Sequence, residues 1–475
     1  MTERKRIYLC LAHMSEAGLE QKYIKEAFDT NWVVPLGPNV NAFEKDLEEF
    51  VTSCPAEIKE IAESLSPAER AENAESLSPA EIKEIAESLD STGKKESTEI
   101  SKRVVALSAG TAAVHLALIA CGVGPGDEVI VQSFTFCASS HPITYLGATP
   151  VFVDSERETW NMDPALLEVA IKDRIAKTGR KPKAIIPVAL YGMPYRIDEI
   201  MEIANRYDIP VIEDAAEGFG SRYKGQVLGT FGKYGVLSFN GNKMITTSGG
   251  GALITPDEES WREIMMYATQ YRESYPYYQH EKIGYNYRMS NICAGIGRGQ
   301  MTVVNEHIEH HKHVQALYEE LLKDVPGITV HKQPDVRCKM ADGREVPDYD
   351  SNYWLVTITI DPALKIKGQE NAYKTIVTGA VGGAAGVIHA AESATTDCQP
   401  NDNVEALRVY LDQAQIEARP VWKPMHKQPV YASAPAYVNG VSEAVFKVGM
   451  CLPAGPCVTD DDVKYIVDAI KSAIK

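Results

Sequence analysis

The chain has 475 residues, 44% hydrophobic and 24% charged, with a formal net charge of −17 at pH 7. That is the composition of an ordinary folded protein with a large core and about two domains, and its acidic balance argues against binding nucleic acid or an anionic membrane through the whole surface. A local anion site is not excluded, because helix N-termini and a few basic groups decide that. The nine cysteines are dispersed, without a CxxC pair, which reads as a reduced, cytoplasmic protein. No apolar run reaches the ~18 residues of a membrane-crossing helix.

In chain order, the first 50 residues predict helices over Glu16–Asp29 and Val40–Val51, separated by the turn-rich Val34–Asn39. Residues 55–90 then consist of three tandem copies, PAEIKEIAESLS, PAERAENAESLS and PAEIKEIAESLD. Ser66 and Ser78 suit N-caps, Pro67 and Pro79 suit first helical positions, and Glu69 and Glu81 complete capping boxes. Ile58, Ile61, Ala62 and Leu65 form one apolar stripe. These copies carry ten acidic and three basic residues, −7 of the −17. We read the inserted segment 52–100 as short helices on the surface, an expanded repeat in an exposed connection.

After residue 100, apolar strands alternate with helices. The strands are expected at Val104–Leu107, Glu128–Val131, Pro150–Val153, Ala184–Pro187, Pro210–Glu213, Gly235–Phe239 and Ala252–Thr255. Helices are expected at Ala112–Cys121, Ser139–Leu146, Pro164–Lys177 and Asp198–Tyr207. This rhythm implies an α/β fold with a mostly parallel sheet covered on both faces. From about 302 the pattern changes to a long helix, Val303–Asp324, strands near Ile328–His331 and Tyr353–Ile360, and helices at Val404–Ala414 and from Asp460 onward. The expected division is therefore 1–301 and a smaller α+β part, 302–475. Within the latter, the Gly/Ala-rich stretch Lys365–Gln399 reads as a loop or flexible insertion. It lacks the spacing of a dinucleotide loop.

Ligands of such sheets gather at the carboxyl ends of strands. Asp214 follows one strand, an acidic position that packing explains poorly. Lys243 follows another, in Ser238-Phe239-Asn240-Gly241-Asn242-Lys243 with Thr246–Gly251 beyond it. A lysine that can form a Schiff base with an aldehyde and a carboxylate that can keep a pyridine nitrogen protonated are what pyridoxal 5'-phosphate (PLP) requires. Ser108-Ala109-Gly110-Thr111-Ala112 joins a strand to a helix and suits a phosphate at the helix's positive end. Ser238 adds a hydroxyl there, and Phe136 suits stacking on the ring. The histidines in His307-Ile308-Glu309-His310-His311-Lys312-His313 read as solvated positions of a long helix, with no metal assigned.

These segments, with Asn31–Phe43, Ser108–Leu118, Phe134–Asp154, Leu190–Pro194, Glu213–Ser221, Ser238–Gly251, Ile283–Ser290 and Glu417–Gln428, resemble the DegT/DnrJ/EryC1/StrS family of PLP-dependent sugar aminotransferases. The resemblance spans nearly the whole chain apart from residues 52–100 and roughly 365–400. It implies a fold-type I (aspartate aminotransferase-like) large domain with the smaller domain after it. Lys243 would hold the cofactor and move the proton, Asp214 would pair with the pyridinium, and Glu217 would lie beside the ring. Phe136 would stack on the ring. Gly110, Thr111 and Ala112, with Ser238, would receive the phosphate, and Asn286 would reach it from a neighbouring subunit in a homodimer with shared sites. Arg288, Arg419 and His426 would contact substrate.

The resemblance also implies that L-glutamate donates an amino group to C4 of a UDP-4-keto-6-deoxy-N-acetylhexosamine for bacterial surface glycans. Lysine at position 243, where some relatives carry histidine, favours transamination over dehydration. The nearest rival is a 3-keto or non-acetylated nucleotide sugar. A rival of another class is a noncatalytic interaction protein working through the acidic repeat, which deletion of 55–90 would reveal.

Overall fold

The computed structural model describes residues 5–53, 102–340, 344–373, 376–381, 384–388 and 398–475. The three tandem copies, and the helices expected in them, lie outside the described residues.

Apolar strands that must be buried on both faces build the main sheet. It contains β1 (Arg103–Leu107), β2 (Glu128–Gln132), β3 (Thr149–Val153), β4 (Ala184–Ile186), β5 (Ile212–Asp214), β6 (Tyr234–Ser238) and β7 (Gly251–Thr255). One half has the order β1-β7-β6-β5 and the other runs β3-β2-β4. Parallel bridges from Ile185 to Val211 and from Val188 to Asp214 join the halves. Only β7 runs antiparallel to its neighbours; β2 with β3 and β4, and β5 with β6, pair in parallel.

The period of two along each strand divides its residues between two cores. Val104, Ala106, Ile130, Val151 and Ile185 enter one apolar cluster. Val105, Leu107, Val129, Val131, Phe152 and Ile186 enter the other. One helix between the strands carries clear start and stop signals. Asp163 caps the helix Pro164–Thr178 by accepting from the N–H groups of Ala165 and Leu166, and Gly179 ends it in the left-handed conformation with φ 69. The expected helix Ser139–Leu146 is shorter in the structure, a 3₁₀ turn at Cys137–Ser139 and a helix at His141–Tyr145.

The edge strand β1 is finished by a helix. α1 (Leu19–Asp29) precedes α2 (Pro38–Thr52), and the α2 carboxylates Glu44 and Glu48 lie one turn apart. Glu48 Oε1 accepts from the Val104 N–H at 3.0 Å, and Glu44 Oε1 accepts from the Ala106 N–H at 2.7 Å. Two edge donors that would otherwise be free are thereby satisfied.

A second sheet collects β8 (Ile328–Val330), β9 (Val356–Ile360), β10 (Arg419–Pro420) and, later in the chain, β12 (Gly449–Leu452), in the antiparallel order β8-β9-β12-β10. It packs with helices Val304–Leu322, Asp402–Gln413 and Asp460–Ala473 around a third apolar cluster. Ile7 belongs to that cluster and bridges to Ile416, so the segment around Ile7 docks on the core of the second sheet. In return β11 (Ala436–Tyr437) pairs in parallel with β3 of the main sheet.

Two sequence expectations are corrected. The stretch Lys365–Gln399 is not simply a loop: Ile376–Val381 pairs antiparallel with Ala384–Ile388, through Ile376 with Ile388 and Val377 with Val387. The β-branched residues of that stretch outweigh its glycines. His307 and His311 are buried, not solvated, and their Nδ1 atoms lie 3.3 Å from the Met244 carbonyl and 3.1 Å from the Tyr353 carbonyl. Among the described residues no group of histidine, cysteine and acidic side chains could hold a metal ion.

Candidate active site

Strand ends of the main sheet converge on a cavity of about 340 Å³ lined by Gly110, Thr111, Phe136, Asp214, Glu217, Ser238 and Lys243, among others. The helix after β1 is α3 (Gly110–Ala120), which begins at Gly110 and not, as expected, at Ala112. Ala109 offers no side-chain cap. The first-turn N–H groups of Gly110, Thr111 and Ala112 have no partner within the helix, and the helix dipole favours an anion beside them. Gly110 is pressed onto the end of β6, where a Cβ would stand 3.1 Å from the Ser238 Cβ. Backbone amides and the Ser238 hydroxyl therefore share one corner. Ala112 is buried and contributes no lining side chain.

Asp214, at the end of β5, is buried. Its Oδ2 accepts from the Ser139 hydroxyl at 2.6 Å and its Oδ1 from the Ala216 N–H at 3.1 Å. Burial pushes this carboxyl above its ordinary range, opposed by those two donors and by Lys243. Glu217 is buried one short turn on, also raised by burial and lowered by Lys243. Its Oε1 lies 3.5 Å from Lys243 Nζ, and its Oε2 accepts from the Tyr191 N–H at 2.8 Å. Lys243 Nζ lies 4.1 Å from the centroid of the Trp354 ring. Two desolvated carboxylates thus face one ammonium, an arrangement that gains from further positive charge in the cavity.

These groups fit PLP. Lys243 would supply the amine for its aldehyde, Asp214 a buried anion for its ring nitrogen, and the end of α3 with Ser238 a cradle for its phosphate. Phe136, half exposed on the cavity wall, meets Trp422 at 5.4 Å between ring centroids.

Other residues named by resemblance stand elsewhere. The Arg288 guanidinium is buried against Glu44 and donates to the Ala106 carbonyl at 3.0 Å, completing the lock on β1. Arg419 pairs with Glu417 at 2.7 Å, and Glu417 Oε2 accepts from the Leu9 N–H. His426 Nδ1 lies 2.6 Å from the Ser133 hydroxyl, and its Nε2 lies 3.4 Å from Glu443. None of the three lines the cavity. Asn286 is exposed, bridges to Thr269, and does not line the cavity of its own chain either.

Sequence reasoning passed over Ser139, Tyr191 and Trp354. Ser139 stands three residues after Phe136, in a segment the resemblance already covered. Trp354 arrives from before β9, with nothing local to mark it.

The chain matches the DegT/DnrJ/EryC1/StrS aminotransferase family over residues 96–385 and 369–471. It belongs to this family. It is a PLP-dependent sugar aminotransferase of fold-type I. The two matched stretches meet within the Gly/Ala-rich segment, and the first begins after the tandem copies. EpsN of Bacillus subtilis (strain 168) is 37% identical over 473 residues, covering 98% of this chain and 95% of EpsN. A GDP-perosamine synthase of Escherichia coli O157:H7 is 35% identical, covering 77% of this chain and 84% of its own. A UDP-2-acetamido-2-deoxy-3-oxo-D-glucuronate aminotransferase of Pseudomonas aeruginosa is 38% identical over 52% of this chain and 68% of its own. The crystal structure of a DegT DnrJ EryC1 StrS aminotransferase from Brucella abortus has the same fold, with a TM-score of 0.70 and 24% identity, covering 96% of this chain and 95% of that one. Among the described residues no helix is long and apolar enough to cross a membrane.

Proposed function

We propose that this enzyme moves the amino group of L-glutamate to C4 of a UDP-linked 4-keto-6-deoxy-N-acetylhexosamine, in the cytoplasm, for a bacterial surface glycan. The observation that carries the reading is the meeting of Lys243, Asp214 and Glu217 with an uncapped helix end in one cavity. PLP bound there supplies an electron sink for the carbon that gives up or takes a proton.

The protein's own groups do the rest. Lys243 holds the cofactor aldehyde and, when its amine is free, is the base placed to carry a proton at the reacting carbon. Asp214 favours a protonated ring nitrogen because its own charge is poorly solvated. Glu217, whose Oε1 lies 3.5 Å from the Lys243 amine, orients it. The amides at the start of α3 orient the phosphate, while Trp354 and Trp422 line the cavity with apolar rings.

The reading includes two copies that share sites, with Asn286 of one reaching the phosphate of the other. Its support is that Asn286 is exposed and absent from its own cavity wall. It also divides the chain into a cofactor-holding part, 1–301, and a smaller part, 302–475, since every strand of the second sheet follows residue 302.

The relatives favour a second acceptor class as well. One is a GDP-perosamine synthase and another a UDP-2-acetamido-2-deoxy-3-oxo-D-glucuronate aminotransferase, so the nucleotide varies at similar identity. The test is the visible absorbance of the PLP-loaded enzyme. L-glutamate should bleach it, and UDP-4-keto-6-deoxy-N-acetylglucosamine should restore it. Restoration only by a GDP-linked or 3-keto sugar would replace the proposed acceptor, and no bleaching by glutamate would remove the proposed donor.

A further inference from the structure

Tyr191 joins the two walls of the cavity. Its backbone lies in the left-handed region, φ 54 and ψ 20, before Gly192 at φ 93. That conformation is unfavourable for a residue with a Cβ and persists where the surroundings over-determine it. Here they do. The Tyr191 N–H donates to Glu217 Oε2 at 2.8 Å, and the phenol oxygen accepts from the Trp422 backbone N–H at 2.8 Å. The ring stacks on Trp422, with centroids 6.1 Å apart and planes at 21°, and on Trp354 at 6.5 Å and 18°. The turn itself is pinned, since a Cβ on Gly192 would stand 1.8 Å from Asn352 Oδ1, and the Asn352 amide donates to the Glu217 and Phe219 carbonyls.

One end of this chain of contacts reaches the reacting amine, because the other oxygen of Glu217 lies 3.5 Å from Lys243 Nζ. The other end is Trp422, which lines both the inner cavity and an adjoining one of about 520 Å³ bounded by Phe136, Lys423, Met425 and Gln428. The inner cavity, about 340 Å³, already has to hold the cofactor. Glutamate is small enough to react within it. A sugar carrying a nucleotide is not, and its bulk must pass Trp422 into the outer cavity.

We propose that Tyr191 is a positioning residue for the sugar half-reaction, its phenol oxygen setting the Trp422 backbone in register with Glu217 and Lys243 so that the carbonyl carbon of the bulky acceptor lies where Lys243 can deliver a proton. This rests on the nucleotide-sugar reading above. The glutamate half-reaction does not depend on that tie.

The test follows each half-reaction separately by single-turnover absorbance in the full-length PLP-loaded enzyme. Tyr191→Phe removes only the phenol oxygen and keeps the ring and the N–H to Glu217. We expect the visible spectrum unchanged and the glutamate half-reaction within about 2-fold of wild type. The sugar half-reaction should lose roughly 10-fold in kcat/KM, mostly in KM, the scale of one hydrogen bond. Should that variant not be recovered folded, Tyr191→Asn tolerates the left-handed backbone and should show the same split, larger. Equal losses in both half-reactions would reduce Tyr191 to a structural part, and an unchanged sugar half-reaction would remove it from the reaction altogether. A wild type that bleaches with glutamate but recovers with no nucleotide keto sugar overturns the substrate class, and this proposal with it.

Discussion

The floor of the cavity and its outer wall were built in different ways. Every floor group lies at or just after an apolar strand of the main sheet: Gly110 after β1, Asp214 at the end of β5, Ser238 at the end of β6 and Lys243 shortly beyond. The wall groups, Trp354 and Trp422, come from segments beside the second sheet and are held by Tyr191 between them. The floor follows from local pattern, because ligands of such sheets collect at strand ends. The wall follows from how two sheets dock. Cofactor chemistry should therefore depend on the first set, and choice of acceptor on the second.

The largest break in that comparison is Lys243→Ala, which should abolish both half-reactions, with losses above about 10⁴-fold; transfer persisting after this change would sink the account of the floor. Asp214→Asn keeps the shape and removes the charge. It should slow both half-reactions by about 10²-fold or more, while the protein without PLP melts no earlier than wild type, since burial opposes the Asp214 charge. A melting point that falls together with the rate would mean that Asp214 is structural.

Arg288 sharpens the comparison from outside the cavity. Arg288→Met leaves Glu44 buried without its cation, and should cost about 3 kcal/mol in denaturant unfolding with the glutamate half-reaction little changed. Selective loss of sugar turnover at full stability would restore the substrate role that resemblance implied. The smallest expected effect concerns Asp46 on α2, whose carboxyl burial pushes up to about 6 despite Arg298 beside it. The folded state then binds this proton more tightly than the unfolded chain, so stability is lost as pH rises from about 4 to about 6. Asp46→Asn should flatten that slope by less than about 1 kcal/mol, given its partial exposure. Urea midpoints of both proteins at about pH 4.5 and about pH 7 would show it.

The same contrast decides how much was legible in the sequence. The strands of the main sheet are continuous apolar runs, and their order with the intervening helices reads directly as an α/β sheet. Asp214 stood out because an acidic group directly after such a strand has no packing reason to be there, and Lys243 because of the Gly/Thr/Ser segment around it taken together with Asp214. Arg288, Arg419 and His426 were singled out by their segments alone. Their partners Glu44, Glu417 and Ser133, which hold them away from the cavity wall, had not been connected to them. The tie from Tyr191 to Trp422 spans two segments far apart in the chain, and no periodicity encodes it. The pairing of Ile376–Val381 with Ala384–Ile388 was obscured by its glycines.

The most direct measurement reduces the PLP-loaded protein with borohydride, which fixes the cofactor to its lysine, and maps the modified peptide by mass spectrometry. The account predicts one modification, on Lys243, lost when L-glutamate is added before reduction. A modification on another lysine, or none at all, would contradict it.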